Sequence, residues 1–193
     1  MRAVWVSMLL LIVGLAACQS SPPPATYPQI TYLDKQPIAL DVAAIEVNVA
    51  YRPPLEAPNV EHRFPVSLSD TVARWAKDRL HAVGSSGTAT FTVVDASVIE
   101  EELPTRKGLT GLVSTDQAAR LKGRVAARLQ VTRAGGLASG FAEANASRTQ
   151  TIAEGITLSE RDDIFYAMEE AMAKDLDREL EAVVLDKLRA FVR

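Results

Sequence analysis

Arg120-Leu121-Lys122-Gly123-Arg124-Val125-Ala126-Ala127-Arg128-Leu129-Gln130-Val131-Thr132-Arg133 reads as a β-strand with one dry face and one wet face. Leu121, Gly123, Val125, Ala127, Leu129 and Val131 fall on one side; Arg120, Lys122, Arg124, Arg128, Gln130 and Thr132 fall on the other. Successive side chains of a strand point to opposite faces, so this alternation calls for a sheet packed on one side only, the habit of antiparallel sheets. Gly135-Gly136 then turns the chain into a further strand, Phe141 to Glu154. There Ala142, Ala144 and Ala146 oppose Glu143, Asn145, Ser147, Thr149 and Thr151, and the alanine face admits a closely approaching helix or a second chain.

Working outward, Thr88 to Val94 is a strand with Ala89, Phe91 and Val93 on one face. Beyond it, Glu100-Glu101-Glu102 reads as a solvated acidic turn, because consecutive acids diverge and no neighbouring motif completes a cation site. Pro37 to Ala50 is another strand whose alternation slips between Val42 and Ile45, the mark of a bulge or a break. Pro53-Pro54, Pro58 and Pro65 bound a loop that carries a solvated His62. Ser67 and Ser69 are candidate caps for a helix running through Val72, Trp75, Ala76, Arg79, Leu80 and Val83 to a stop at Gly84, with Trp75 as a core anchor and His81 near its C-terminal end.

The chain closes on a long amphipathic helix. Ser159-Glu160-Arg161-Asp162 supplies a capping box. Ile164, Phe165, Met168, Ala171, Met172, Leu176, Leu180, Val183, Val184, Leu188 and Phe191 then recur at helical spacing. Such a helix spans about 45 Å, longer than a small sheet covers, so it is expected to bend or to leave one end protruding. The order strand-helix-strand-strand-strand-helix predicts an α+β domain: a mostly antiparallel four-stranded sheet with two helices on one face.

Composition narrows the function. The 193 residues carry 21 Lys and Arg against 24 Asp and Glu, which argues against a nucleic-acid partner. One cysteine and two histidines exclude a disulfide framework and leave no donor set for a Cys- or His-based metal centre, so no metal or cofactor is expected. Neither G-x-S-x-G nor H-E-x-x-H occurs, and no catalytic residue is assigned.

The N-terminus is the most specific segment. Met1-Arg2 precedes an apolar run from Val4 to Ala17 of about 14 residues, too short to span a bilayer as a helix and of the right length for a secretory signal. It ends in Leu15-Ala16-Ala17-Cys18, which resembles the lipobox of bacterial lipoproteins. The resemblance implies removal of residues 1–17, acylation of Cys18, and attachment to a membrane through two or three acyl chains, enough for a stable anchor. Gln19 rather than Asp after the cysteine favours, by the same resemblance, the outer membrane with the domain facing the periplasm; the inner membrane is the alternative. Residues 18–36 then hold the lipidated Cys and a Pro-rich tether, with no packed element expected from Gln19 to Pro28, and 37–193 form a single domain.

Downstream of the lipobox, the element order resembles, in pattern only, the small α/β lipoproteins that act as auxiliary components of envelope ABC transporters or in lipopolysaccharide assembly. That implies a non-catalytic accessory component of an envelope transport or assembly complex with a protein partner. A second reading is a lipid- or glycolipid-binding domain using Arg120, Lys122, Arg124 and Arg128 as an anionic-ligand face; the favoured reading of those four residues is a solvated outer face balanced by Glu143 and Glu154 across the hairpin, and an envelope hydrolase is the third function.

Overall fold

The computed structural model describes residues 26–104, 117–136 and 138–193. Its elements are β1 (Ile38–Leu40), β2 (Ala44–Val49), α1 (Leu68–Arg79), β3 (Leu80–Ala82), β4 (Thr88–Glu102), β5 (Gln117–Thr132), β6 (Ser139–Ala153) and α2 (Leu158–Lys187). The main sheet has the order β2-β4-β5-β6. Its β4-β5 and β5-β6 ladders are antiparallel, whereas β2 lies parallel to β4. The sheet is therefore mixed rather than uniformly antiparallel. The reason is α1: a helical crossover between β2 and β4 returns the chain in its original direction, and only a hairpin reverses it.

The slip in alternation between Val42 and Ile45 is a change of sheet. β1 pairs in parallel with β3 in a separate two-stranded sheet, while β2 joins the main one. Val192 bridges Leu40, Phe191 O accepts from Asp41 N–H at 2.8 Å, and Ala39 O accepts from Arg193 N–H, so the C-terminus closes onto β1. α1 ends at Arg79, earlier than the sequence periodicity implied, because Leu80 turns extended to begin β3. His81 consequently sits exposed on a strand, away from any helix terminus, and Val83 is exposed. Gly84 is required there: a Cβ would lie 2.7 Å from the backbone of Asp41 and of Val42.

The acidic run is likewise strand, not turn. β4 continues to Glu102, with Glu101 paired to Lys122 across the ladder and Glu100 held by Arg161 of α2 and by Arg63. Beyond the bulge between Val93 and Asp95, β2 no longer covers the edge of β4. The proline-bounded loop takes its place, Val60 N–H donating to Val98 O and Glu100 N–H to Pro58 O, each at 2.8 Å. His62 is exposed, but its neighbour Glu61 is buried, accepting from Tyr51 Oη at 2.6 Å and from Val98 N–H. Burial pushes the Glu61 carboxyl up, and the Tyr51, backbone and Asn59 donors outweigh it, so the group stays below the usual range.

Both helices lie on the dry face. β5 buries Leu121, Gly123, Val125, Ala127, Leu129 and Val131 and exposes the alternate set, as its sequence dictates. α2 begins at an N-cap Thr157, two residues before the expected Ser159, because the turn at Gly155 (φ 76°) aims the chain back over the sheet at once. Glu160 completes the capping box. The 30 residues of α2 neither protrude nor outrun the sheet. β5 has 16 residues, about 50 Å at 3.3 Å each, against about 45 Å of helix. Phe165, Met168, Met172, Leu176, Leu180, Val184, Leu188 and Phe191 are all buried. They rest on Ala142, Ala144, Ala146 and Gly123, where a Cβ would meet the ends of Met168 and Met172.

Gly84→Ala meets backbone on two sides and should destabilise the domain by about 2–3 kcal/mol, whereas Gly123→Ala meets only flexible methionine ends and should cost less. Urea midpoints at constant m-value check the ranking.

Candidate functional site

Cys18, the proposed lipidation site, lies outside the described residues. The four cations of the sequence-predicted anionic-ligand face are brought together on the wet side of β5, but three are matched by acids. Lys122 Nζ lies 2.6 Å from Glu101, Arg128 Nη1 2.9 Å from Glu143, and Arg124 Nε 3.4 Å from Asp95. Arg128 also stacks over the exposed Phe141 ring at 4.3 Å. Arg120 alone has no ion pair among the described residues. The face is a charge mosaic: β6 places Glu143 directly opposite Arg128, and β4 places Glu101 and Asp95 diagonally to Lys122 and Arg124.

The densest polar constellation is one the sequence reading missed, between α1 and α2. Trp75 Nε1 donates to Asp177 Oδ1 at 2.8 Å, and its ring stacks on Phe91. The fully buried Arg79 sits 3.5 Å from Asp177 and reaches Glu181. One turn earlier, the Thr71 hydroxyl donates to Glu169 Oε1 at 2.5 Å, while Glu169 Oε2 is buried without a partner. Glu169 is wholly inaccessible, and burial pushes its carboxyl up to about 7. A signal for it exists: Glu169 stands four residues after Phe165 and three before Met172, inside the apolar stripe rather than beside it.

The end of the supposed tether covers this seam. The expected free segment extended to residue 36; from Tyr27 onward it is strapped to the helices. Tyr27 Oη donates to Asp163 at 2.8 Å and its ring packs on Tyr166, whose own hydroxyl donates to Pro28 O. Gln29 accepts from Arg74, and Tyr32 N–H donates to Asp78. Tyr32 is buried with no partner for its hydroxyl, and burial raises that group's pKa. The Tyr27 hydroxyl is pushed up to about 12 by its bond to Asp163. The segment has room to pack because Ile30 and Tyr32 interrupt its polar composition, and they fill the gap beside α2.

Between strap and helix runs a groove of about 530 Å³ bordered by Ile30, Tyr32, Lys35, Ala171, Lys174 and Asp177. Among the described residues no cluster of three His, Cys, Asp or Glu is placed to hold a metal ion, and no helix is long and apolar enough to cross a membrane.

No protein-family model matches the chain, and no curated protein sequence matches it. Among solved structures it is similar to rare lipoprotein B from Shewanella oneidensis, at 12% identity and a TM-score of 0.41 over 74% of this chain and 95% of that one. It is also similar to a minor lipoprotein from Acinetobacter baumannii, at 10% identity and a TM-score of 0.36 over 74% and 93%. A third similar structure is a DUF330 protein from Xanthomonas campestris, at 12% identity and a TM-score of 0.33 over 86% and 90%.

Glu169 has a folded pKa of about 7 against an ordinary 4.5, so the native state holds its proton more tightly than the unfolded chain does. Its contribution to stability therefore falls as pH rises between those two values and is constant above. Glu169→Gln keeps the bond to Thr71 without the ionisation and should stabilise the domain by about 1–3 kcal/mol at pH 8. Near pH 4.5 it should have little effect. Chemical denaturation at both pH values measures the difference.

Proposed function

We propose that the chain is a lipid-anchored bacterial envelope lipoprotein whose domain serves as a non-catalytic accessory or interaction component of an envelope transport or assembly complex. The observation that carries the reading is Leu15-Ala16-Ala17-Cys18 at the end of a signal-like apolar run. Two structural features support it. The strap from Tyr27 to Tyr32 is fastened onto α1 and α2, so a chain leading from Cys18 would join the domain at one defined place. Buried Arg79 is engaged by Asp177 and Glu181 in holding helix to helix, a structural use of polarity. Outer-membrane residence, facing the periplasm, belongs to the same reading through Gln19.

Intact-mass analysis of the chain purified from bacterial envelopes should show Cys18 as the first residue, carrying a diacylglyceryl thioether and an amide-linked acyl chain. Cys18→Ser should abolish both the added mass and the fractionation with membranes. An unmodified thiol at Cys18 in membrane-derived protein would overturn the reading. Pull-down of the anchored protein with an N-terminally intact strap, compared with Tyr32→Ala, then tests whether the mount supports engagement with an envelope partner.

A further inference from the structure

Natural sheets guard their edges with proline, lysine, bulges or inward-pointing charges. β6 does little of this. It has 15 residues, no proline and no lysine, and it pairs with β5 without a register shift from Ser139 to Ile152. Its single basic residue, Arg148, is bound to Asp175 of α2 at 2.7 Å. Arg133 N–H donates to Ala138 O at 2.9 Å, which sets the phase of the hydrogen bonds between β5 and β6. Hydrogen-bonded pairs alternate with non-bonded ones, so Gly140, Ala142, Ala144, Ala146 and Arg148 direct their backbone groups to β5, and Phe141, Glu143, Asn145, Ser147 and Thr149 direct theirs outward. Among the described residues no backbone group outside β5 takes them up.

We infer that this edge is the docking surface for a second copy of the chain, β6 pairing antiparallel with β6 about Asn145. Charge complementarity favours this occupant. In that register Glu143 faces Ser147, Phe141 faces Thr149 and Asn145 faces its own counterpart, so no like charges oppose one another. On the helix-facing side Ala144 meets Ala146 at the centre, where small side chains leave room.

The helices obey the same symmetry. A Cβ at Gly140 would touch Leu188 and Phe191, and one at Gly123, which pairs with Arg148, would touch Met168 and Met172. α2 therefore runs antiparallel to β6. At about 3.3 Å per strand residue and 1.5 Å per helix residue, the part of α2 level with Asn145 is about residue 177. Asp175 and Arg178 flank that level, an acid and a base 3.2 Å apart. A two-fold axis there brings Arg178 of each copy towards Asp175 of the other, an isologous contact in which one patch complements itself. The result is one continuous eight-stranded sheet, whether or not Cys18 is acylated.

Sedimentation velocity of the full chain in density-matched detergent should give twice the mass of one chain. Ser147→Pro removes an outward N–H and leaves the β5 ladder intact; it should yield monomer with an unchanged far-ultraviolet circular dichroism spectrum. Asn145→Lys, which opposes like charges at the axis, is the second variant and should also yield monomer. In a Cys18→Ser background, Asn145→Cys should form an inter-chain disulfide on mild oxidation, because exchanging pairs bring Cα atoms to about 5.5 Å. Glu143→Cys should stay reduced. A monomeric wild type, including one that pairs through this edge only with a different protein, overturns the inference. So does a dimer that survives both edge variants or fails to cross-link at Asn145→Cys.

Discussion

The close approach of α2 to a sheet of nearly equal length is the constraint on which the rest of the molecule depends. A helix can lie along β6 and β5 over its whole course only if the residues beneath it are small, and β6 supplies Ala142, Ala144 and Ala146 while β5 supplies Gly123. The stripe from Phe165 to Leu188 then buries a large side chain at almost every turn. Each fully buried Leu, Met or Phe is worth about 1.5–3 kcal/mol relative to exposure, so this one contact dominates the core. Phe64 stacking on Phe165 at 4.4 Å draws the proline-bounded loop into the same layer.

Apolar packing alone would let α1 and α2 slide. The polar seam fixes their register, since Trp75 must meet Asp177 while Thr71 meets Glu169, and both bonds are satisfied in only one relative position. Breaking such a pair by removing one partner is costly because the other is left buried and uncompensated. The seam is also incomplete: Glu169 Oε2 and the Tyr32 hydroxyl, buried in the same layer, lack partners. The helix interface is thus specific without being maximally stable, and the strap that covers it adds Tyr32 and a bond to Asp78 to its closure.

Most of the fold was legible in periodicity. The alternation of Arg120 to Arg133, the alanine face of β6 and the heptad-like stripe of α2 are each decided by one element against one neighbour, and sequence pattern reports such pairs well. What stayed hidden depended on partners distant in sequence. The parity slip at Val42–Ile45 announced a discontinuity, but only β3 and Val192 turn it into a second sheet. Glu100 to Glu102 looked solvated because their cations, Arg161 and Lys122, come from elsewhere in the fold. On the basic face the balancing Glu143 was legible across the hairpin, one turn away in sequence, whereas Glu101 and Asp95 come from β4 and were not. Tyr27 to Tyr32 read as tether because the proline-rich composition of residues 19–28 runs into it and masks the two aromatic anchors that hold it down.

The strap gives the proposed anchoring a geometric consequence. Between Cys18 and Tyr27 there are few residues, and at no more than about 3.6 Å each they reach roughly 30 Å. Tyr27 is fixed beside Asp163 and Tyr166, in the first turns of α2. An acylated Cys18 therefore keeps the α2 N-terminal end of the domain towards the bilayer, together with the Gly155 turn and the outer ends of β4 and β5. The opposite end, with the Ala134–Gly136 turn and the C-terminal residues against β1, lies about 50 Å farther along the strands. The long edge of β6 joins the two ends. Under the proposed anchoring, the clamp at one end limits which end of the sheet can approach the bilayer, because the far end lies beyond the reach of the chain from Cys18.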